Sequence, residues 1–211
     1  MIDVGSRLRV GRAITKTESE AALLLMRMLK RTSPDRPPAM ATDAKAGYEE
    51  AMVETWGKPP PYSGKGRPPT RKRAGPDWQY VQVKKNRSGN RLIEVEVEVI
   101  FGDPDQVLEV MGGHTAYIER SQLTSRQMNG RVVRKTLSFS KEVPMLMAAC
   151  AWEDAVYNWT RPHLSLRQKS ETPERRWVER TPAMAAGLTD HVWSVRDLLT
   201  RLVIPGRLNS N

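Results

Sequence analysis

The stretch Thr115 to Lys141, TAYIERSQLTSRQMNGRVVRKTLSFSK, holds a single carboxylate among many cations. Glu119 is followed by Arg120, Arg126, Arg131, Arg134, Lys135 and Lys141, and the next acid is Glu142. On a helix, spacings of three, four and seven put Glu119, Gln122, Leu123 and Arg126 on one face. A lone carboxylate on a basic face suits a metal-binding acid beside a polyanion. The same pattern also suits a solvated amphipathic helix with a stray acid. Asp43 is the second acid of interest. It stands where a short strand, 39–42, gives way to a helix expected over 44–56, the strand edge at which α/β sheets place ligands. The competing role is an ordinary helix N-cap, which Asp favours.

These residues need elements to position them. RLRVGRAI, residues 7–14, alternates basic and apolar side chains and predicts a strand with one wet face. Thr17 is placed to cap a helix whose apolar part, 21–29, packs on a sheet, and the Pro- and Asp-rich run 33–38 ends it. Residues 57–76, GKPPPYSGKGRPPTRKRAGP, predict an extended loop. This loop serves either as a solvated linker or as an arm that contacts phosphates through Lys65, Arg67, Arg71, Lys72 and Arg73. Alternation over 77–84 and 91–101 around the turn signal Arg87-Ser88-Gly89-Asn90 predicts a β-hairpin. Glu94, Glu96 and Glu98 then share one face of its second strand, a solvated face within reach of Lys84 or Arg87.

A short helix over 105–111, a hinge at Gly112-Gly113 and a polar His114 lead into the Glu119 helix. A long helix follows over 142–159. Its stripe of Met145, Leu146, Ala149, Trp152, Val156 and Trp159 is expected to face a core. Arg161, His163 and Arg167 form a basic loop. Thr181-Pro182 opens a short helix closed by Gly187, and Ser194 with Asp197 caps a last helix over 195–203. This tail is expected to pack on the core or on a second protomer.

Composition narrows the partners. The 211 residues carry a net charge of +10, with 39% hydrophobic residues to build a core. That excess favours nucleic acid over an anionic membrane surface. Cys150 is the only cysteine, which excludes an intrachain disulfide and a cysteine-based metal cage and fits a reducing compartment. No apolar run approaches the roughly 20 residues of a membrane span.

Several motifs occur in an order that resembles one family. They are Tyr117-Ile118-Glu119-Arg120, Leu123-Thr124, Arg126 and the run Arg134 to Lys141, then Tyr157-Asn158 with Arg161-Pro162-His163. The run Arg180 to Trp193, RTPAMAAGLTDHVW, follows, and MATDAKAGYEEAM around Asp43 precedes them. Together they resemble insertion-sequence DDE transposases of the IS-one-like branch. Two departures are Gln122, where many relatives carry Asn, and Ala44, where Gly usually follows the acid.

The resemblance implies an α/β fold: an incomplete ribonuclease-H-like core over 1–141 with an inserted β-hairpin, and a C-terminal helical extension over 142–211. It implies that Asp43 and Glu119 are metal ligands of a catalytic site holding two Mg²⁺ or Mn²⁺ ions about 3.5–4 Å apart. Arg120, Gln122, Arg126, Arg131, Arg134 and Lys135 are then DNA-facing. The implied activity is DNA strand cleavage and transfer in a bacterial or archaeal cytoplasm, on the nucleoid. The implied assembly is a homo-oligomer or a co-assembly with a full-length transposase. Ile2-Asp3-Val4 resembles the end of the family's second strand, with Asp3 as a turn residue, so the first catalytic Asp and its strand are expected to be missing and the isolated chain inactive. A non-catalytic DNA-binding fragment that inhibits a complete transposase, or a structural RNA-binding protein, are the competing readings.

Overall fold

The computed structural model describes residues 1–45, 47–62, 64, 66–89, 91–111, 116–170 and 176–201. Lys65, Asn90, Gly112, Gly113, His114, Leu202 and Val203, which figure in the sequence reading, lie outside these. The fold is mixed α/β, with seven α-helices and two small sheets among the described residues. The chain forms two compact units, Gly11–Ala116 and Met1–Val10 with Tyr117–Asn211. This division differs from the 141/142 boundary expected above, because the helix carrying Glu119 groups with the C-terminal helices.

The unit Gly11–Ala116 is organised by an apolar core. Helix α1, Glu18–Lys30, is capped by Thr17, whose hydroxyl accepts from the Glu20 N–H at 3.3 Å. Strand β1, Met40–Asp43, runs parallel to β2, Tyr80–Ser88. β2 pairs antiparallel with β3, Arg91–Phe101, giving the order β1-β2-β3. Helix α2, Tyr48–Trp56, lies between β1 and β2 in sequence and is a crossover of the βαβ kind. α1 and α2 bury Ala22, Met26, Ala51, Met52 and Trp56 with Trp78 and Tyr80. The Trp56 indole donates to the Ser33 carbonyl at 2.7 Å, so the buried ring keeps its polar atom satisfied. Helix α3, Pro104–Met111, follows the hairpin.

The hairpin agrees with its alternating pattern. Glu94, Glu96 and Glu98 are exposed, and Lys84 meets Glu98 at 2.6 Å. The helix expected over 44–56 starts later than the sequence suggests. Its N-cap is Gly47, at φ +101°, a left-handed conformation that glycine adopts without penalty.

The second unit is held together differently. The segment expected to be a strand over 7–14 is instead a tight hairpin over 1–10. It is closed by a single bridge, Ile2 to Arg9, with Asp3 N–H donating to the Leu8 carbonyl at 2.8 Å. Asp3 Oδ2 accepts from both Ser6 N–H, at 2.6 Å, and Ser6 Oγ, at 2.5 Å, which is turn chemistry. Arg7 sits at φ +62° beyond the turn, so the regular alternation does not propagate into a strand.

Helix α4, Ala116–Met128, and helix α5, Val143–Trp159, follow, then the two-stranded ribbon β4, Gln168–Lys169, with β5, Trp177–Val178. Helix α6, Pro182–Ala185, is capped by Thr181, and Gly187 follows at φ +72°. Helix α7, Val195–Thr200, has the full Ser194–Asp197 capping box.

Of the stripe expected to face a core on α5, Leu146, Ala149, Val156 and Trp159 are half-buried and only Met145 and Trp152 are exposed. Met145 is 54% and Trp152 42% exposed, whereas Cys150, Glu153, Tyr157 and Asn158 are buried. Glu153 turns inward beside Cys150 and Tyr157, where Arg9 offers it a cation.

Candidate functional site

Asp43 is the last residue of β1, and its side chain is exposed at the C-terminal end of a parallel strand. It is not the cap of α2, which is Gly47. Thr42, one residue earlier, meets the Tyr80 hydroxyl at 2.8 Å, and Gln82 donates to the same hydroxyl at 3.0 Å. These bonds hold the strand end in register. Burial raises the Tyr48 phenol above its ordinary pKa, and the charge of Asp43 adds to the rise. Lys45 pairs with Glu18 at 2.6 Å, which together with a smaller effect of Asp43 raises its pKa. Asp43 therefore stands among one cation and two phenols.

Glu119 lies in the first turn of α4, where a helix N-terminus favours negative charge. Glu119, Gln122, Leu123 and Arg126 are all exposed, as their spacing predicts, and Ser121 and Ser125 form the buried face. Arg120, Arg131, Arg134 and Lys135 are exposed as well, with Arg131 donating to Ser140 Oγ at 2.9 Å. Asp43 and Glu119 belong to different compact units. Among the described residues no three Asp, Glu, His or Cys side chains converge as a metal-ligand group.

The basic loop is built rather than loose at its neck. Lys58 and Arg73 exchange backbone hydrogen bonds at 3.2 and 3.0 Å, closing the loop at its base. Lys72 donates to the Glu54 carbonyl at 2.6 Å and to its carboxylate at 2.9 Å, tying the loop to α2. Gly57 lets the two strands of the neck approach. A Cβ there would stand 2.3 Å from the Val53 carbonyl oxygen and 3.0 Å from that of Arg73. Above the neck, Arg67, Arg71 and Arg73 line one depression of about 340 Å³ with Pro60, Pro68, Pro69 and Thr70. Of the four described side chains expected to contact phosphate here, three share this depression. Lys72 is turned away to Glu54.

No motif in the sequence singles out Arg9. Its guanidinium is buried, with Nη1 at 2.5 Å from Glu153 and 3.0 Å from Asp154, and Nε donating to Ser121 Oγ at 2.9 Å. Asn158 brackets the Arg9 backbone, accepting from its N–H at 2.9 Å and donating to its carbonyl at 3.0 Å. Ser125 donates to the second oxygen of Glu153 at 2.9 Å, and the Tyr157 ring lies 3.9 Å under the Arg9 guanidinium. The available signal was Glu153-Asp154, an acid pair following ten uncharged residues of α5. This network positions α4, and hence Glu119, against α5. Nearby, His163 packs edge-on to Tyr157 at 4.8 Å with its Nε2 buried and lacking a hydrogen-bond partner among the described residues. Burial lowers its pKa, and the charges of Arg161, Arg9 and Arg7 lower it further.

Comparison with protein-family models, with curated proteins and with solved structures finds no match for this chain. No described helix is long and apolar enough to cross a membrane.

Proposed function

We propose that this chain is catalytic-domain material of a DDE transposase, with a ribonuclease-H-like core, acting on DNA. The observation that carries the reading is the placement of Asp43. It is an exposed carboxylate at the end of a parallel strand, and the order of motifs puts the exposed Glu119 later on a basic helix. The βαβ arrangement of β1, α2 and β2 agrees with such a core. Asp43 and Glu119 are hard oxygen donors of the kind Mg²⁺ or Mn²⁺ takes, and they are the residues that would hold it. A divalent ion bound there would supply activation of the attacking oxygen and stabilisation of the leaving one. Arg67, Arg71 and Arg73 bind phosphates along the DNA backbone, and Arg120, Arg126, Arg134 and Lys135 offset phosphate charge beside Glu119.

A second reading is favoured because no group of three Asp, Glu, His or Cys able to hold a metal ion occurs among the described residues. On it, the chain binds DNA without cutting it and acts by co-assembly with a complete transposase. Both readings predict DNA affinity that falls by about 0.9 decade per decade of salt for each phosphate neutralised. A flat salt dependence removes both. Nicking of supercoiled plasmid with Mg²⁺ or Mn²⁺ separates them. The catalytic reading expects nicking when a segment carrying the family's first Asp is added in cis or in trans, abolished in Asp43→Asn and in Glu119→Gln with DNA affinity retained. Binding without nicking, even when that segment is added, leaves the second reading. Nicking that survives both substitutions ends the assignment of these acids.

A further inference from the structure

The loop that joins α4 to α5 is tied down at its base and bare at its tip. Asn129 caps the single helical turn Gly130–Val132, its Oδ1 accepting from the Arg131 N–H at 3.1 Å, and its Nδ2 donates to Glu153 of α5 at 3.4 Å. At the other end Ser140 Oγ accepts from Arg131 Nη1 at 2.9 Å, so a side-chain bond staples the two ends of the loop. Between them Lys135 adopts φ +56°, and the Ser138 N–H donates to Thr136 Oγ1 at 3.0 Å. This built turn presents Leu137, 97% exposed, and Phe139, 62% exposed. Among the described residues no large apolar side chain is more exposed than Leu137.

We propose that Leu137 and Phe139 form a wedge that engages DNA at an opened base step, packing on the faces of unpaired bases. The proposal rests on the reading of the chain as one that acts on DNA. It adds a base-contacting site to the phosphate-contacting cations of that reading. Charge selects the class of occupant. No acid occurs from Arg120 to Lys141, and Arg131, Arg134, Lys135 and Lys141 are exposed in or beside the loop. The occupant must therefore be anionic around an apolar centre. A fully paired duplex meets the first requirement only, because it presents phosphates and polar groove edges. Unstacked bases meet both, with apolar faces set beside phosphates.

The side-chain types agree with that occupant. Phe139 offers a flat ring on which any base can stack, and Leu137 is of the size and shape that prises neighbouring bases apart. Thr136, Ser138 and Ser140, which alternate with them, carry the hydroxyls that commonly reach phosphate oxygens. The staple between Arg131 and Ser140 also matters, because a loop already closed loses less freedom when its tip is inserted. An anionic membrane also joins negative charge to an apolar interior. Segments held at its surface, however, lay a whole helical face into it, and this non-helical loop offers two side chains.

The test is binding of the full chain, by fluorescence anisotropy, to a labelled paired duplex and to the same duplex with a mismatched step. The mismatched duplex should bind at least about fivefold tighter, the lower end of what base stacking on an aromatic side chain contributes. Leu137→Ala with Phe139→Ala should remove that preference, while the urea midpoint and helical circular dichroism stay as in the native chain. Phe139→Trp should keep the preference, because a larger ring still stacks. A 2-aminopurine at the mismatched step should change its emission with the native chain and not with the double alanine variant. Equal affinity for the two duplexes would overturn the wedge and leave the DNA-acting reading in place. Binding to neither duplex would remove both. A preference that survives the double substitution, or one lost in Phe139→Trp, would also overturn the proposal. So would a chain that pelleted with phosphatidylserine vesicles through Phe139 and showed no preference between the duplexes.

Discussion

The two compact units solve the same problem with different physics. In Gly11–Ala116 the interior is apolar, with Met26, Met52, Trp56, Trp78 and Tyr80 packed together. In the other unit Arg9, Glu153, Ser121, Ser125, Asn129 and Asn158 are buried beside Cys150, Tyr157, Leu166 and Ala183, while Val143, Met145, Met147 and Trp152 of α5 are exposed. Apolar burial is non-directional and tolerates change by degrees. A buried polar network is directional, and losing one member strands the others. The first unit should therefore soften gradually under mutation and the second should fail abruptly.

The sharpest test is Arg9→Met. It leaves Glu153 buried without its cation and should cost about 3–5 kcal/mol, read as loss of the unfolding transition of that unit in urea. Arg9→Met combined with Glu153→Leu should recover much of that loss, since replacing a whole buried ion pair is far less costly than breaking it. If the double variant is no better than the single one, the contrast between the units is wrong. In the other unit Met52→Ala, at a fully buried position, should cost about 2–5 kcal/mol by leaving a cavity.

Gly57→Ala should cost about 1–3 kcal/mol, because the new methyl meets two carbonyl oxygens of the loop neck. Limited proteolysis between residues 58 and 73 should report it first. Lys72→Ala should leave the unfolding midpoint almost unchanged, the pair with Glu54 being exposed. Cleavage within the loop should nonetheless quicken.

His163 provides a pH test of the polar unit. Its folded pKa lies below the ordinary value of about 6.5, so the unfolded chain takes up the proton first. The stability it contributes is full above about pH 6.5 and is lost as pH falls from there through the folded value. Urea midpoints measured from about pH 8 to pH 5 should decline for the native chain. They should decline less for His163→Phe, which also removes the unsatisfied Nε2.

The features legible in advance share one property: each depends on residues a few positions apart. Thr17, Thr181-Pro182 and the Ser194–Asp197 box announce helix starts, because a cap acts within one turn. The hairpin of β2 and β3 follows from alternation on either side of a turn. Asp43 at a strand end and Glu119 on an exposed helix face are equally local, so both were visible as candidates. Their distance from each other is not a local quantity, and periodicity carries no information about it.

The inward side of α5 shows the same limit. Met145, Ala148, Trp152, Ala155 and Trp159 repeat at helical spacing, and so do Cys150, Glu153 and Tyr157. Periodicity identifies two faces and cannot rank them when the interior is polar. The buried face also carries the ion pair of Glu153 with Arg9, 144 positions away in the chain, a pairing that no local spacing announces. Lys72 likewise reads as one more cation in a basic run, and only the proximity of Glu54 on α2 turns it into a strut. By itself the sequence determined the helices, the hairpin, the positive charge and the two candidate acids, because these arise from neighbouring residues. Tertiary structure decided which charges are spent inside the protein and which remain to meet a partner, because that depends on pairs that only folding brings together.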